Sequence, residues 1–215
     1  MSFFKAIKKI PKANLLGFLG PVVSFTAIAL AIIIQPGFSW SDNALSDLGS
    51  WFRTDLGNYQ IVSAILFNGG LIISGICILI FVISLVRQIG DLPSQLSLLV
   101  FAGTAILLIG IGTFSEDFHI MHYWTAVPFF LSIPIALGFT GLVWLRFVEI
   151  RSLAIVTIIL SLGYLILMFQ QWIELSIAVF EFLAALFGMG WLWLIDYMHY
   201  SGNLSTILTE KDSTL

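Results

Sequence analysis

"LLGFLGPVVSFTAIALAIII", residues 15–34, is the stretch on which the fold turns. It contains no charged residue. At 1.5 Å per residue a helix of that length spans about 30 Å, the thickness of a bilayer's hydrocarbon core. In hydrocarbon a backbone must satisfy its own hydrogen bonds, which a lone segment does only as a helix. Five more apolar runs follow, at about 61–86, 95–114, 123–145, 152–169 and 175–195. The pattern predicts an all-α, polytopic membrane protein: a six-transmembrane-helix bundle. A basic start precedes the first run, but the run is too long for a signal-peptide core and no small-x-small cleavage site follows it. It is therefore read as retained. Residues 1–196 are expected to form a single transmembrane domain and 197–215 a short, loosely ordered polar tail.

Composition agrees. Charged residues make up 10% of the chain and hydrophobic ones 59%, whereas a soluble domain carries about 25% charged residues. A net charge of −3, with no clustered basic face, argues against a nucleic-acid partner. The expected surroundings are membrane lipid, with other membrane proteins or a second copy of the chain as further partners. One cysteine, Cys77, leaves no intrachain disulfide to form.

Charge also orients the bundle. If the start is cytoplasmic, the inner segments carry Lys5, Lys8, Lys9, Lys12, Arg87, Arg146, Arg151 and Lys211, and the outer connections carry only Arg53. That bias follows the positive-inside rule and puts both termini in the cytoplasm. Trp40, Trp51, Tyr59, Trp124 and Trp172 then mark the outer interface, and Trp144, Trp191, Trp193 and Tyr197 the inner one. Six acids, Asp42, Asp47, Asp55, Glu116, Asp117 and Glu174, fall in the outer connections. Such a surface attracts cations or cationic ligands.

The titratable residues concentrate in "SEDFHIMHYW", residues 115–124, between the third and fourth helices. Two polar residues approach the same level from within the membrane. Asn68 lies roughly 13 Å down the second helix and Glu181 roughly 12 Å down the sixth. An ionisable or amide group at that depth faces a partner or a cavity. Pro128 and Pro134 are expected to bend the fourth helix. The first outer connection, "SWSDNALSDLGSWFRTDLGNYQ" (39–60), suggests capped helical turns lying on the membrane surface, with Asp42 and Asp47 as caps. Asp196 and His199, at the end of the sixth helix, read as a solvated helix end.

The candidate pocket therefore comprises Asp47, Asn68, Glu116, His119, His122 and Glu181. Glu116, His119 and His122 repeat at helical spacing, so they could share a face and hold a divalent metal such as zinc. No second Glu-x-x-His and no His-Glu-x-x-His accompanies them. A Ser46–His–Asp47 triad can be drawn, but no Gly-x-Ser-x-Gly elbow supports it. Metal-free acid–base work by a His–carboxylate pair is the other reading.

Three blocks, "SDNALSDLGSW", "LFNGGLIISG" and "GTFSEDFHIMH", resemble, in order, a prokaryotic, often archaeal, six-span family catalogued as domain of unknown function 998. The resemblance covers about residues 15–195. It rests on Ser46-Asp47-Leu48-Gly49, on Phe67-Asn68 with the following glycines, and on Gly112, Glu116 and His119. Ser115 stands where the family favours a proline. The resemblance implies the six-span architecture and a site at these blocks, but no reaction. Two functions remain open: an outward-facing site that binds or processes a lipid headgroup or amphiphile in the outer leaflet, and a non-enzymatic accessory or scaffold subunit of a membrane complex. Transport ranks last, because neither repeat symmetry nor a charged inner path is visible.

Overall fold

Six apolar helices form where the six runs lie. The computed structural model describes residues 10–169 and 175–209. The helices are α1 (Lys12–Ile34), α2 (Gln60–Val86), α3 (Leu92–Thr113), α4 (Ile120–Trp144), α5 (Arg151–Met168) and α6 (Ile177–Tyr200). Six spans, the fifth starting at Val148, are long and apolar enough to cross a membrane. Lys5, Lys8, Lys9, Trp172, Glu174 and Lys211 lie outside the described residues.

Short connections make sequence neighbours pack side by side from α1 through α5, and α6 closes the bundle against α1 and α5. Small residues permit the close approaches that membrane helices use in place of a hydrophobic drive. A Cβ on Gly112 of α3 would stand 2.6 Å from the Asn68 carbonyl oxygen of α2. Ile33, Ile65, Ile106, Ile135, Ile159 and Leu162 are exposed, as a lipid-facing surface requires. The first and third connections meet at one end of the bundle, here termed the loop-rich end.

The far end departs from expectation in three ways. Trp144 and Trp191 are fully buried and do not form an interfacial belt. Their indole N–H groups donate to Ser94 Oγ (3.1 Å) and Thr157 Oγ1 (3.0 Å), the partners a buried indole needs. Asp196 and His199 are also buried, not solvated. Asn14 of α1 donates to Asp196 Oδ1 at 2.8 Å and lies 3.0 Å from His199 Nδ1, so α1 covers what reads as a free helix end. Finally, α6 continues to Tyr200 and is followed by a short helix, α7 (Asn203–Thr209). Leu204 and Leu208, four residues apart on one face, are buried. The polar residues around them hide that stripe in the sequence.

Pro128 and Pro134 sit inside α4, which runs through both as one helix. Each proline removes one backbone donor, and Ser161 of α5 donates to the Pro134 carbonyl at 2.8 Å.

Candidate functional site

The loop-rich end is built on a 3-10 turn, Leu45–Gly49. The sequence suggests a turn on the membrane surface. Instead it is driven into the bundle, with Leu45, Asp47, Leu48 and Gly49 all buried. Burial obliges every backbone polar group to find a partner, and the candidate residues supply several. Asn68 donates to the Gly49 carbonyl (2.8 Å) and Ser63 to the Leu48 carbonyl (2.8 Å). Gln60 donates to the Ser50 carbonyl and accepts from Gln35 at 2.8 Å. From the opposite side Glu181 Oε2 accepts the Leu45 N–H at 2.6 Å. Gly49 is required at this contact, because a Cβ there would stand 2.5 Å from Asn68 Oδ1. Asn68 and Glu181 are thus joined through the turn wedged between α2 and α6.

Asp47 caps the same turn. Its Oδ2 accepts from Asn43 (2.9 Å) and the Ala44 N–H (3.1 Å) and pairs with Arg53 at 2.6 Å. Arg53 also binds Asp55 at 2.8 Å. With its carboxylate committed to these partners, Asp47 is not turned to a histidine as the triad reading needs.

The third connection forms another 3-10 turn, Glu116–Phe118. Asp117 ties it to the first loop, accepting from Ser50 Oγ (2.6 Å), the Trp51 N–H (2.7 Å) and Ser115 Oγ (2.9 Å). Partial burial pushes this carboxyl up, but those hydrogen bonds prevail and hold it below its usual range. Glu116 is opposite in character. Its Oε2 is buried without a hydrogen-bond partner among the described residues. Burial first, then the neighbouring Asp47 carboxylate, push its pKa up to about 7, against the pull of Arg53. His119 ends the turn with φ 27° and ψ −79°. It alone among the described non-glycine residues has positive φ, a conformation that costs energy for a side chain with a Cβ.

That reversal corrects the metal reading. Glu116, His119 and His122 are not on one continuous helix. The 3-10 turn ends at the reversal, and α4 starts only at Ile120. His122 lies within α4, its Nδ1 2.8 Å from the Phe114 carbonyl. Among the described residues no three His, Cys, Asp or Glu side chains converge on a metal position.

Three spaces adjoin these groups. A polar crevice lies among Ser50, Phe52, Arg53, Glu116, Asp117 and His119. A second, of about 890 Å³ including open solvent, also has Glu116 and His119 at its edge. It runs between α4 and α6 past Tyr123, Val127, Phe130 and Phe180. Beneath the first-loop turn is a narrow, largely apolar chamber, about 540 Å³ when the open solvent at its mouth is included, walled by Ile28, Phe67, Leu71, Ile111 and Phe129 among others. Glu181 and His122 border both the second crevice and the chamber.

The structure thus brings Glu116, His119, His122 and Glu181 to one crevice, and places Asp47 and Asn68 behind them as supports of the turn. The candidate pocket left out Arg53 and Asp117, named only for their charge, and the Phe130–Phe180 ring pair, whose centroids are 5.4 Å apart. Arg53 carried a usable signal as the one cation among the acids of these connections. The ring pair carried none, since phenylalanines are scattered through every run.

Residues 18–195 match a family described as Protein of unknown function (DUF998). No curated protein matches the chain, and no solved structure does.

Proposed function

The chain belongs to the DUF998 family, whose description carries no activity, and from the loop-rich end we propose a membrane-embedded site that binds, and through a proton-exchanging carboxyl processes, the headgroup of an amphiphile in the outer leaflet. One observation carries this reading: a polar crevice and an apolar crevice meet at the same two residues, Glu116 and His119. An amphiphile has the same division, a polar head beside an apolar body. Glu116, poised near neutral pH, suits general acid–base work, for which a pKa close to ambient pH is best. His119 stands beside it as the second exchangeable group, and His122 and Glu181 border the apolar side.

The outward orientation rests on charge. Lys12, Arg87, Arg146 and Arg151 belong to the far end and Arg53 to the loop-rich end, the asymmetry expected when the loop-rich end faces away from the cytoplasm.

The test is the lipid that stays with the protein. The wild type, Glu116→Gln and His119→Ala are purified in mild detergent and the bound amphiphiles measured by native mass spectrometry. Loss of a bound species in both variants, with melting temperatures no lower than the wild type's, supports the site. An unchanged complement in both removes it. The scaffold reading draws on the commitment of Asp47, Asn68 and Glu181 to holding the turn. It requires both variants to be silent.

A further inference from the structure

We infer that the chamber beneath the first-loop turn takes the hydrocarbon chain of that amphiphile, a single-chain molecule whose head donates hydrogen bonds through a hydroxyl or an ammonium group. The inference rests on the proposed function and adds where the tail goes and which heads fit.

The chamber and the lateral crevice share a wall. His122, Ala126, Phe130 and Glu181 line both spaces, so a chain lying between α4 and α6 is one side-chain layer from the interior. The outer lip of the crevice is open to lipid: Tyr123, Val127 and Ile177 are exposed. Phe130 and Phe180 face each other across the gap. Rotation of one ring would open the passage, a small motion beside a helix displacement.

Inside, the chamber shares a wall with a second apolar void, into which a chain would extend. Leu108, Phe129, Ala185 and Met189 line both, and the second reaches Ile78, Phe101 and Gly188. From Phe67 to Ile78 along α2 the tract runs about 16 Å. Phe101, in its far wall, packs on the buried Trp191, ring centroids 4.8 Å apart. Packed helices leave only about 8–10 Å between axes, so a gap in one layer of side chains admits one chain and not two. Ser24, Ser46, His122 and Glu181 are the polar residues of the first space and Thr104 of the second; the rest of the walls are apolar, a surface that takes up hydrocarbon.

The mouth selects the head. Glu116 and Glu181 both border the lateral crevice. The nearby cation, Arg53, is already paired with Asp47 and Asp55. A carboxylate or phosphate head would meet these acids without a free counter-charge. A hydroxyl or ammonium head can donate to the Glu116 carboxyl at the crevice edge.

The experiment uses the full chain in neutral vesicles and three photoreactive probes of equal chain length, each with a diazirine at the chain terminus: a fatty alcohol, a fatty amine and a fatty acid. Peptide mapping after illumination should find the alcohol and amine attached at Leu108, Phe129 or Met189. The acid should label these positions about tenfold less. Ala185→Trp and Leu108→Trp fill the tract from opposite walls. Either variant that keeps the wild-type melting temperature should lose chamber labelling while crevice residues such as Tyr123 still react. Labelling confined to lipid-facing residues such as Ile106 and Ile135, or equal chamber labelling by the acid, overturns the inference. Failure of the proposed function is separable: chamber labelling would persist unchanged in Glu116→Gln. Failure of the chamber alone would leave labelling at the crevice, still dependent on Glu116.

Discussion

Glu116 is where proton and structure are most tightly linked. Its carboxyl titrates at about 7 in the folded protein against an ordinary 4.5, because ionisation there must overcome burial and the Asp47 carboxylate. A carboxyl whose folded pKa is raised costs nothing while both states are protonated, below about pH 4.5. The penalty grows as pH rises toward 7 and is complete above it. Glutamine has no charge to bury. Glu116→Gln should therefore melt with the wild type in acid and gain about 1 kcal/mol above neutral pH, a value held low because water reaches the crevice. For a chain of this size that is about 2–4 °C. Coincident melting curves at both pH values would mean that Glu116 ionises freely. The sequence singled out Glu116 and His119 because acids and imidazoles are rare in so apolar a chain. It could not separate Glu116 from Asp117, adjacent yet opposite in behaviour. Asp117 receives two hydrogen bonds from the first loop, from Ser50 Oγ and the Trp51 N–H, and that pairing between distant segments leaves no local trace.

At the scale of elements, the first-loop turn organises the site, and α2 holds it. Asn68 donates to the Gly49 carbonyl inside the bundle. Alanine at position 68 would leave that carbonyl buried and unpaired, at a cost of about 1–3 kcal/mol. The loss should also expose residues 35–59 to added protease at rates the wild type resists, because local opening follows lost local contacts. Full stability and unchanged proteolysis in Asn68→Ala would show that Gln60, Ser63, Asp47 and Glu181 hold the turn without it. The spans themselves were legible, since apolar length is a property of single segments. How far the first connection plunges was not: Leu45 and Leu48 within a polar stretch read equally as a surface turn and a buried wedge. The far end hid for a related reason. Asp196 and His199 look solvated until Asn14, from the other end of the chain, is seen against them.

For the whole molecule the two ends of the bundle carry opposite charge. Asp42, Asp47, Asp55, Glu116 and Asp117 belong to the loop-rich end with Arg53 as the only cation there among the described residues, while Lys12, Arg87, Arg146 and Arg151 belong to the far end. The far end also holds Asp91, ion-paired to Arg146 at 2.7 Å, with Glu149 and Asp196, so the bias rests on where the basic residues lie and not on net charge. The proposed orientation follows from retention of basic segments in the cytoplasm during insertion, which would leave the far end inside. The exposed Trp40, Trp51, Tyr59 and Trp124 fall at the loop-rich boundary, consistent with either orientation, so charge alone decides. On a Cys77→Ser background, single cysteines replacing Asp55 or Asp117 should react with a membrane-impermeant thiol reagent added to intact cells. Cysteines replacing Gly90 or Glu149 should react only after the membrane is opened. The reverse pattern would place Glu116 and His119 in the cytoplasm and turn the lateral crevice toward the inner leaflet. The amphiphile would then have to be sought among cytoplasmic lipids, although the crevice, the chamber and the selection for a donor head would stand as before.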